Sequence, residues 1–174
     1  RVEAAITRAA NKNEKDLEEV VFEGYGPHGI AIVVETATDN NTRTVANIRM
    51  HFNRGNGAMG KTGSLDFLFE RKGIFTIDKG KFSLDELELE LIDFGADEVS
   101  EEEDEVYVTT SFTDFGKMQK GLEEKGITII SAELDRIPTN YTELTPDQQK
   151  EVHALIDRLE DDDDVQNVFH NMKD

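Results

Sequence analysis

Apolar residues recur along this chain in two rhythms, and glycine, proline and capping residues mark where one gives way to the other. Val2, Ala5, Ile6 and Ala9 fall at helical spacing, which predicts a short helix over 2–11. A polar link, NKNEKD, follows. Val20 to Phe22 and Ile30 to Val34 read as two strands, and GYGPHG at 24–29 has the Gly and Pro of a hairpin connection. TDNNTRT at 38–44 is rich in capping residues. Val45, Ile48 and Phe52 then share one face of a helix ending near Arg54. A glycine-rich loop covers 55–63. Beyond it Leu65, Phe67 and Phe69 alternate with Asp66, Leu68 and Glu70, the period of a strand.

The middle of the chain has its own pattern. Gly73 to Ile77 reads as a strand. Ser83 and Glu86 have the spacing of a capping box, so Leu84, Leu87, Leu91 and Phe94 are assigned to one helical face although LELEL alone would also suit a strand. Val106 to Thr110 reads as a strand paired with one near 97–101. Phe115, Met118 and Leu122 mark a second helix, stopped by Gly126 just past its end. Ile127 to Leu134 is a further strand. The order β-α-β-β-α-β is the split βαβ of ferredoxin-like domains, expected over 72–138.

Pro138 punctuates. A short strand is expected near 140–144, then a helix opened by the capping box Thr145-Pro-Asp-Gln148 and lined by Val152, Leu155, Ile156 and Leu159. After the acidic run Asp161 to Asp164, Val165 to Phe169 reads as a last strand. The front of the chain lacks strands to cover its own helix. Segments 17–71 and 139–174 are therefore expected to form one discontinuous domain around the insert. The predicted fold class is α+β: two mixed α/β-sheet domains, the second a ferredoxin-like insert, plus a short N-terminal helix.

Charge narrows the functions that fit. The 174 residues carry 19 basic and 38 acidic side chains, a formal net charge of −19. Such a field repels nucleic acid and anionic membrane at long range, so any polyanion partner needs a local basic surface. That surface has a candidate. From Arg43 to Lys81 eight basic residues face three acidic ones, whereas Phe82 to Glu105 holds twelve acids and no base. Solvated faces are the plain explanation of such segregation; a polyanion-facing patch is the functional one. With no cysteine, disulfides, zinc ribbons and thiol catalysis are excluded, which fits a reducing compartment. No apolar run approaches the roughly 20 residues that span a bilayer, and no stretch reads as a secretory signal. A cytoplasmic setting is expected. The chain opens on Arg1 inside a helical pattern, as expected of a piece of a longer protein.

The stretch GNGAMGKT, Gly55 to Thr62, spells a phosphate loop. Phosphate loops need a strand before and a helix after, so that amides and helix dipole converge on the anion. Here a helix enters and a strand leaves. The expectation is a flexible, positively charged surface loop with no nucleotide site, whose amides and Lys61 could still approach a nucleic-acid phosphate. The acidic runs Glu101 to Glu105 and Asp161 to Asp164 lack the alternating ligands and glycine of a calcium loop. They are read as solvated turns, the second also as a contact for a basic partner. His28, His51, His153 and His170 show no paired-ligand spacing and are read as surface or boundary residues. No nucleophile elbow and no Ser/His/Asp arrangement stands out. No catalytic residue, metal or cofactor is expected.

Three blocks together carry a resemblance: EGYGPHGIAIVVETATDNNTRTVANIR, GSLDFLFERKGIF and LEDDDDVQNVFHN. In this order and spacing the chain resembles the YebC family, whose mitochondrial relatives include the translational activator of cytochrome c oxidase subunit I. The resemblance runs from about Glu19 to Asn171. It implies three domains: a small basic helical one, largely missing here with 2–11 as its last helix and 1–16 its remnant, and two α+β domains, the third inserted into the second. Bacterial members are described as DNA-binding transcriptional regulators; others act in translation, on ribosomes where elongation stalls. No enzymatic activity is implied. The family's GYGPGG stands here as GYGPHG, with His28 for a glycine, and Lys61 stands where the family's loop usually carries an acid. Asp39, Asn40, Arg43 and Thr44 match the TDN-x-x-RT block, and Arg49, Gly60, Gly63, Arg71, Lys72 and Gly73 match as well. Asp39 or Asn40 is expected to cap the helix.

These readings combine into an expectation: a non-catalytic gene-expression regulator that binds DNA or ribosomal RNA on the ribosome. Arg43, Arg49, Arg54, Lys61, Arg71 and Lys72 are the expected phosphate contacts. The alternative is a protein-interaction module that uses the acidic insert to meet a basic protein. Neither reading needs a nucleotide or a membrane.

Overall fold

The computed structural model describes residues 16–174. The helix expected over 2–11 lies outside them. In chain order the elements are β1 (Glu18–Tyr25), β2 (Ala31–Thr38), α1 (Asn41–Arg54), β3 (Ala58–Met59), β4 (Phe69–Asp78), α2 (Leu84–Ile92), β5 (Ala96–Glu102), β6 (Glu105–Ser111), α3 (Phe115–Glu124), β7 (Ile129–Pro138), α4 (Pro146–Glu160) and β8 (Val165–His170). Short 3₁₀ turns occupy Pro27–Gly29, Asp66–Leu68 and Phe112–Asp114. The residues form two compact units, one of 16–70 with 138–174, the other of 71–137.

The first unit holds a sheet ordered β3-β1-β2-β8, with every neighbouring pair antiparallel. The front of the chain supplies three strands and the tail the fourth. One face carries α1 and α4, whose Ile48, Phe52, Val152, Leu155, Ile156 and Leu159 pack on Phe22, Ile32, Val34, Val165 and Val168. The other face is covered by Leu65 and Phe69, packed on Ala31 and Val33. Because β2 is central and buried on both faces, its first half, Ala31 to Val34, is an unbroken apolar run, and the threonines of its second half are buried as well. Helix α4 starts with the full Thr145–Gln148 capping box and Pro at its first turn. Helix α1 is capped by Asn40, whose Oδ1 accepts from the Arg43 amide at 3.1 Å. Such a cap contributes about 1 kcal/mol.

Two local expectations give way here. Residues 65–68 are not strand. Leu68 N donates to Leu65 O at 2.9 Å, closing a 3₁₀ turn, and β4 starts only at Phe69. The alternation came from a turn that buries Leu65 and exposes Phe67. Residues 140–144 make a single parallel bridge, Thr142 to Met172, instead of a strand.

The second unit is a ferredoxin-like βαββαβ fold. Its sheet is ordered β5-β6-β4-β7, with β6 antiparallel to both β4 and β5. Helices α2 and α3 set Leu87, Leu91, Met118 and Leu122 against Phe75, Ile77, Val106 and Val108. Of the Ser83–Glu86 box the structure shows the Ser83 half, its hydroxyl accepting from the Glu86 amide at 3.2 Å. Gly126 has φ +70°, the left-handed cap that ends α3. No helix among the described residues is long and apolar enough to cross a membrane.

Candidate nucleic-acid interface

The phosphate-loop spelling folds into something other than a phosphate cradle. Helix α1 runs into the loop, and Gly57 N closes back on Phe52 O at 2.8 Å. Ala58 and Met59 then pair with Tyr25 and Gly24 of β1. The two backbones approach so closely that a Cβ on Gly57 would sit 2.4 Å from Tyr25 O, and one on Gly24 would sit 2.6 Å from Ala58 O. Gly60 N donates to Glu23 O at 2.7 Å. The Glu23 carboxylate accepts from the amides of Gly63 and of Leu65, the latter at 2.9 Å. Glu23 is only 2% exposed. The Glu23 side chain thus fastens the chain just past the motif, the motif's Gly55, Asn56, Gly57 and Gly60 amides donate to backbone carbonyls, and no α-helix starts at Lys61 as a phosphate loop requires. This corrects the expectation of a flexible loop: it is tied to β1 through Glu23. Lys61 remains exposed on it.

The expected phosphate contacts divide into two groups. Arg43, Arg49, Arg54 and Lys61 belong to the first unit, all on α1 or the loop after it; Arg71 and Lys72 belong to the second. Arg49 and Arg54 are exposed along α1. Arg43 is already engaged: its guanidinium reaches both oxygens of Asp164, at 3.0 and 3.1 Å, and Asp39 at 3.3 Å. The hydrogen bond to Asp164, then the charge of that carboxylate, hold the Arg43 group protonated more firmly than an ordinary arginine. Arg71 lies over the Phe112 ring, 3.8 Å from its centroid. Lys72 Nζ pairs with Asp97 at 2.8 Å.

The acidic run after α4 is also not simply solvated. Asp164 is 3% exposed and holds Arg43 together with the buried Thr44 hydroxyl, 2.8 Å away. Asp162 meets His51 Nε2 at 2.8 Å. This buries His51 further than a surface histidine, its side chain being 12% exposed. Sequence reasoning missed Glu23 and Asp164. The one signal for Glu23 was an acid amid the apolar and glycine residues of VVFEGYG; nothing marked Asp164 off from the three aspartates before it.

His28 sits at φ +62°, a left-handed conformation that costs a non-glycine residue about 1 kcal/mol. Its ring contacts the Glu151 carboxylate of α4.

Fold and site define a class: an α+β protein of two four-stranded sheets in two compact units, one of them ferredoxin-like, the other carrying a cationic helix and loop. The chain belongs to the TACO1/YebC family, since the model described as "TACO1/YebC second and third domain" matches residues 17–172. It is 60% identical over 172 residues to a "Probable transcriptional regulatory protein" of Cytophaga hutchinsonii, covering 99% of this chain and 72% of the relative. A protein of the same name from Parabacteroides distasonis is 56% identical over 173 residues, covering 99% and 71%. These names are those of gene-expression regulators, not of enzymes. A crystal structure of a conserved hypothetical protein from Aquifex aeolicus superposes with a TM-score of 0.74 at 29% identity, covering 98% of this chain and 78% of that one.

Proposed function

We propose that this protein is a non-catalytic regulator of gene expression that holds nucleic acid, DNA or ribosomal RNA, by its phosphates. Arg49, Arg54 and Lys61 are the primary contacts. Arg71 and Lys72 add to them, and Arg43 contributes least because Asp164 already balances it. The observation that carries the reading is the segment from Arg43 to Lys81, eight basic residues against three acidic in a chain of net charge −19. A local excess held against so large an opposing field needs a reason, and a polyanion supplies one. The regulator names of the relatives point the same way.

The test is salt dependence. Affinity for duplex DNA, ribosomal RNA and ribosomes is measured by fluorescence anisotropy or sedimentation between about 50 and 200 mM salt. Binding should weaken steeply, and each of Arg49→Glu, Arg54→Glu and Lys61→Glu should reduce the slope by about one contact. Absence of salt-sensitive binding to all three targets would sink the reading.

A second reading, docking of a basic protein, is favoured by helix α2. Leu89 and Ile92 are 75% and 64% exposed there, on a helix that also carries Asp85, Glu86, Glu88 and Glu90. The nearby Glu105 charge, then burial, raise the Tyr107 hydroxyl pKa above its usual value, as expected beside dense negative charge. If Leu89→Asp abolished cellular activity while charge reversal at Arg49 and Arg54 left it intact, this second reading would replace the first.

A further inference from the structure

Tyr25 emerges on the side of the first unit's sheet opposite α1 and α4, and Phe67 is exposed on the segment that covers that side. Along β1 successive side chains alternate between faces. Val20 and Phe22 join the helix-covered core, whereas Val21 joins the cluster of Ala31, Val33, Leu65 and Phe69. Glu23 and Tyr25 continue the row of Val21. Glu23 reaches the amides of Gly63 and Leu65, and Tyr25, the next in the row, is 44% exposed.

The segment that Glu23 holds is tightly wound. Ser64 N donates to Lys61 O at 3.1 Å, Asp66 N to Gly63 O at 3.3 Å, and Leu68 N to Leu65 O at 2.9 Å. These turns sink Leu65 and raise Phe67, which is 73% exposed between the buried Leu65 and Phe69. Phe67 is therefore a ring on a fixed mount. Lys61 opens the same set of turns, and is exposed. Both rings and the cation belong to the part of the chain that Glu23 fastens together.

We propose that Phe67 and Tyr25 are stacking platforms for unpaired bases of a single-stranded nucleic acid, with Lys61 meeting a backbone phosphate of the same strand. The proposal rests on the nucleic-acid reading above and sharpens it from polyanion to single strand. Every base has a π-face, so stacking on fixed aromatic rings is tolerant of sequence. A ring on a tied turn, Phe67, and one at the end of a paired strand, Tyr25, lose little freedom when a base arrives. Duplex has no unpaired base to offer them, and only its phosphates would engage Lys61 and the arginines.

The experiment uses the whole chain and fluorescent oligonucleotides of about ten nucleotides at low salt. Single-stranded RNA, single-stranded DNA of matching sequence and a matched duplex are the three probes. Phe67→Ala and Tyr25→Ala should each weaken single-strand binding about tenfold and leave duplex binding unchanged. Phe67→Leu should be as weak as Phe67→Ala, because an apolar side chain without a ring cannot stack. Phe67→Trp should bind like the parent. The chain has no tryptophan, so the new indole emission should be quenched when a base stacks on it. The RNA and DNA arms show which sugar is preferred. Binding that needs Lys61 but is untouched by Phe67→Ala and Phe67→Leu would overturn the stacking and leave the nucleic-acid reading standing. Failure to bind any oligonucleotide or ribosome would overturn both.

Discussion

The guanidinium of Arg43 grips the carboxylate of Asp164, 121 residues further along the chain, through contacts of 3.0 and 3.1 Å. Asp164 is buried, and its backbone N–H is taken by Asp162 Oδ1 at 2.9 Å while its carbonyl accepts from Ala37 N at 2.9 Å. The acidic turn after α4 is thereby fastened to the start of α1 and the end of β2.

That turn should fail when its buried donor is removed. Thr44→Val deletes the hydroxyl 2.8 Å from Asp164 and leaves the carboxylate short of a partner. The expected loss is about 1–3 kcal/mol in chemical denaturation. Arg43→Gln should cost less, since the guanidinium is half in solvent. A neutral Thr44→Val would show that the network does not hold the turn.

The same geometry ranks the cations. Arg43→Ala should weaken nucleic-acid binding less than Arg49→Ala, because Asp164 and Asp39 already compensate the Arg43 charge. Anisotropy titrations at one salt concentration decide the order; equal losses would contradict it.

Glu23 should control the order of the loop. Glu23→Ala removes the acceptor of the Gly63 and Leu65 amides. Hydrogen exchange should quicken at 60–66, and global stability should fall by about 2–3 kcal/mol, the scale of buried hydrogen bonds to a charged group. Unchanged exchange at Gly63 and Leu65 would show that the carboxylate is not the fastening.

Nucleotide should not bind saturably in the millimolar range, and Lys61→Ala should change nothing in that titration. Within Gly55–Thr62 the amides of Gly55, Asn56, Gly57 and Gly60 already donate to backbone carbonyls, and no α-helix starts at Lys61 to aim its dipole at a phosphate. Saturable ATP binding that Lys61→Ala abolishes would reverse this conclusion.

Stability should fall in mild acid through His170. Burial lowers its pKa below the ordinary 6.5; Asp174 pulls it up, and His153 pushes it down further. Its Nδ1 also accepts from Met172 N at 3.1 Å, a bond lost when that nitrogen takes a proton. The unfolded chain therefore binds the proton more readily. Stability is full above pH 6.5 and declines as pH falls below it toward the folded value. Melting temperatures from neutral pH down to about pH 5 should drop less steeply in His170→Asn than in the parent. Equal slopes would remove His170 from the account.

Much of the fold was legible because it rests on local rules. The Thr145–Gln148 box, the Asn40 cap, the Gly126 stop and the 3.6-residue rows of α1 and α4 each act within a few residues, so the chain states them directly. The β-α-β-β-α-β order of the insert follows from the same patterns. Residues 65–70 misled because a 3₁₀ turn that buries Leu65 and exposes Phe67 can imitate the period of a strand.

For the interface, the sequence alone determined which cations are present and that they cluster between Arg43 and Lys81. Which of them face solvent, and which are already paired, was decided by tertiary structure. Arg43 met Asp164 and the glycine loop met Glu23 across 121 and about 40 residues of chain. Periodicity reports which side of an element is buried; it carries no information about which distant carboxylate the fold will bring there. Electrostatic pairing and amide capture depend on distances of a few ångströms, and only the packed sheets set those distances.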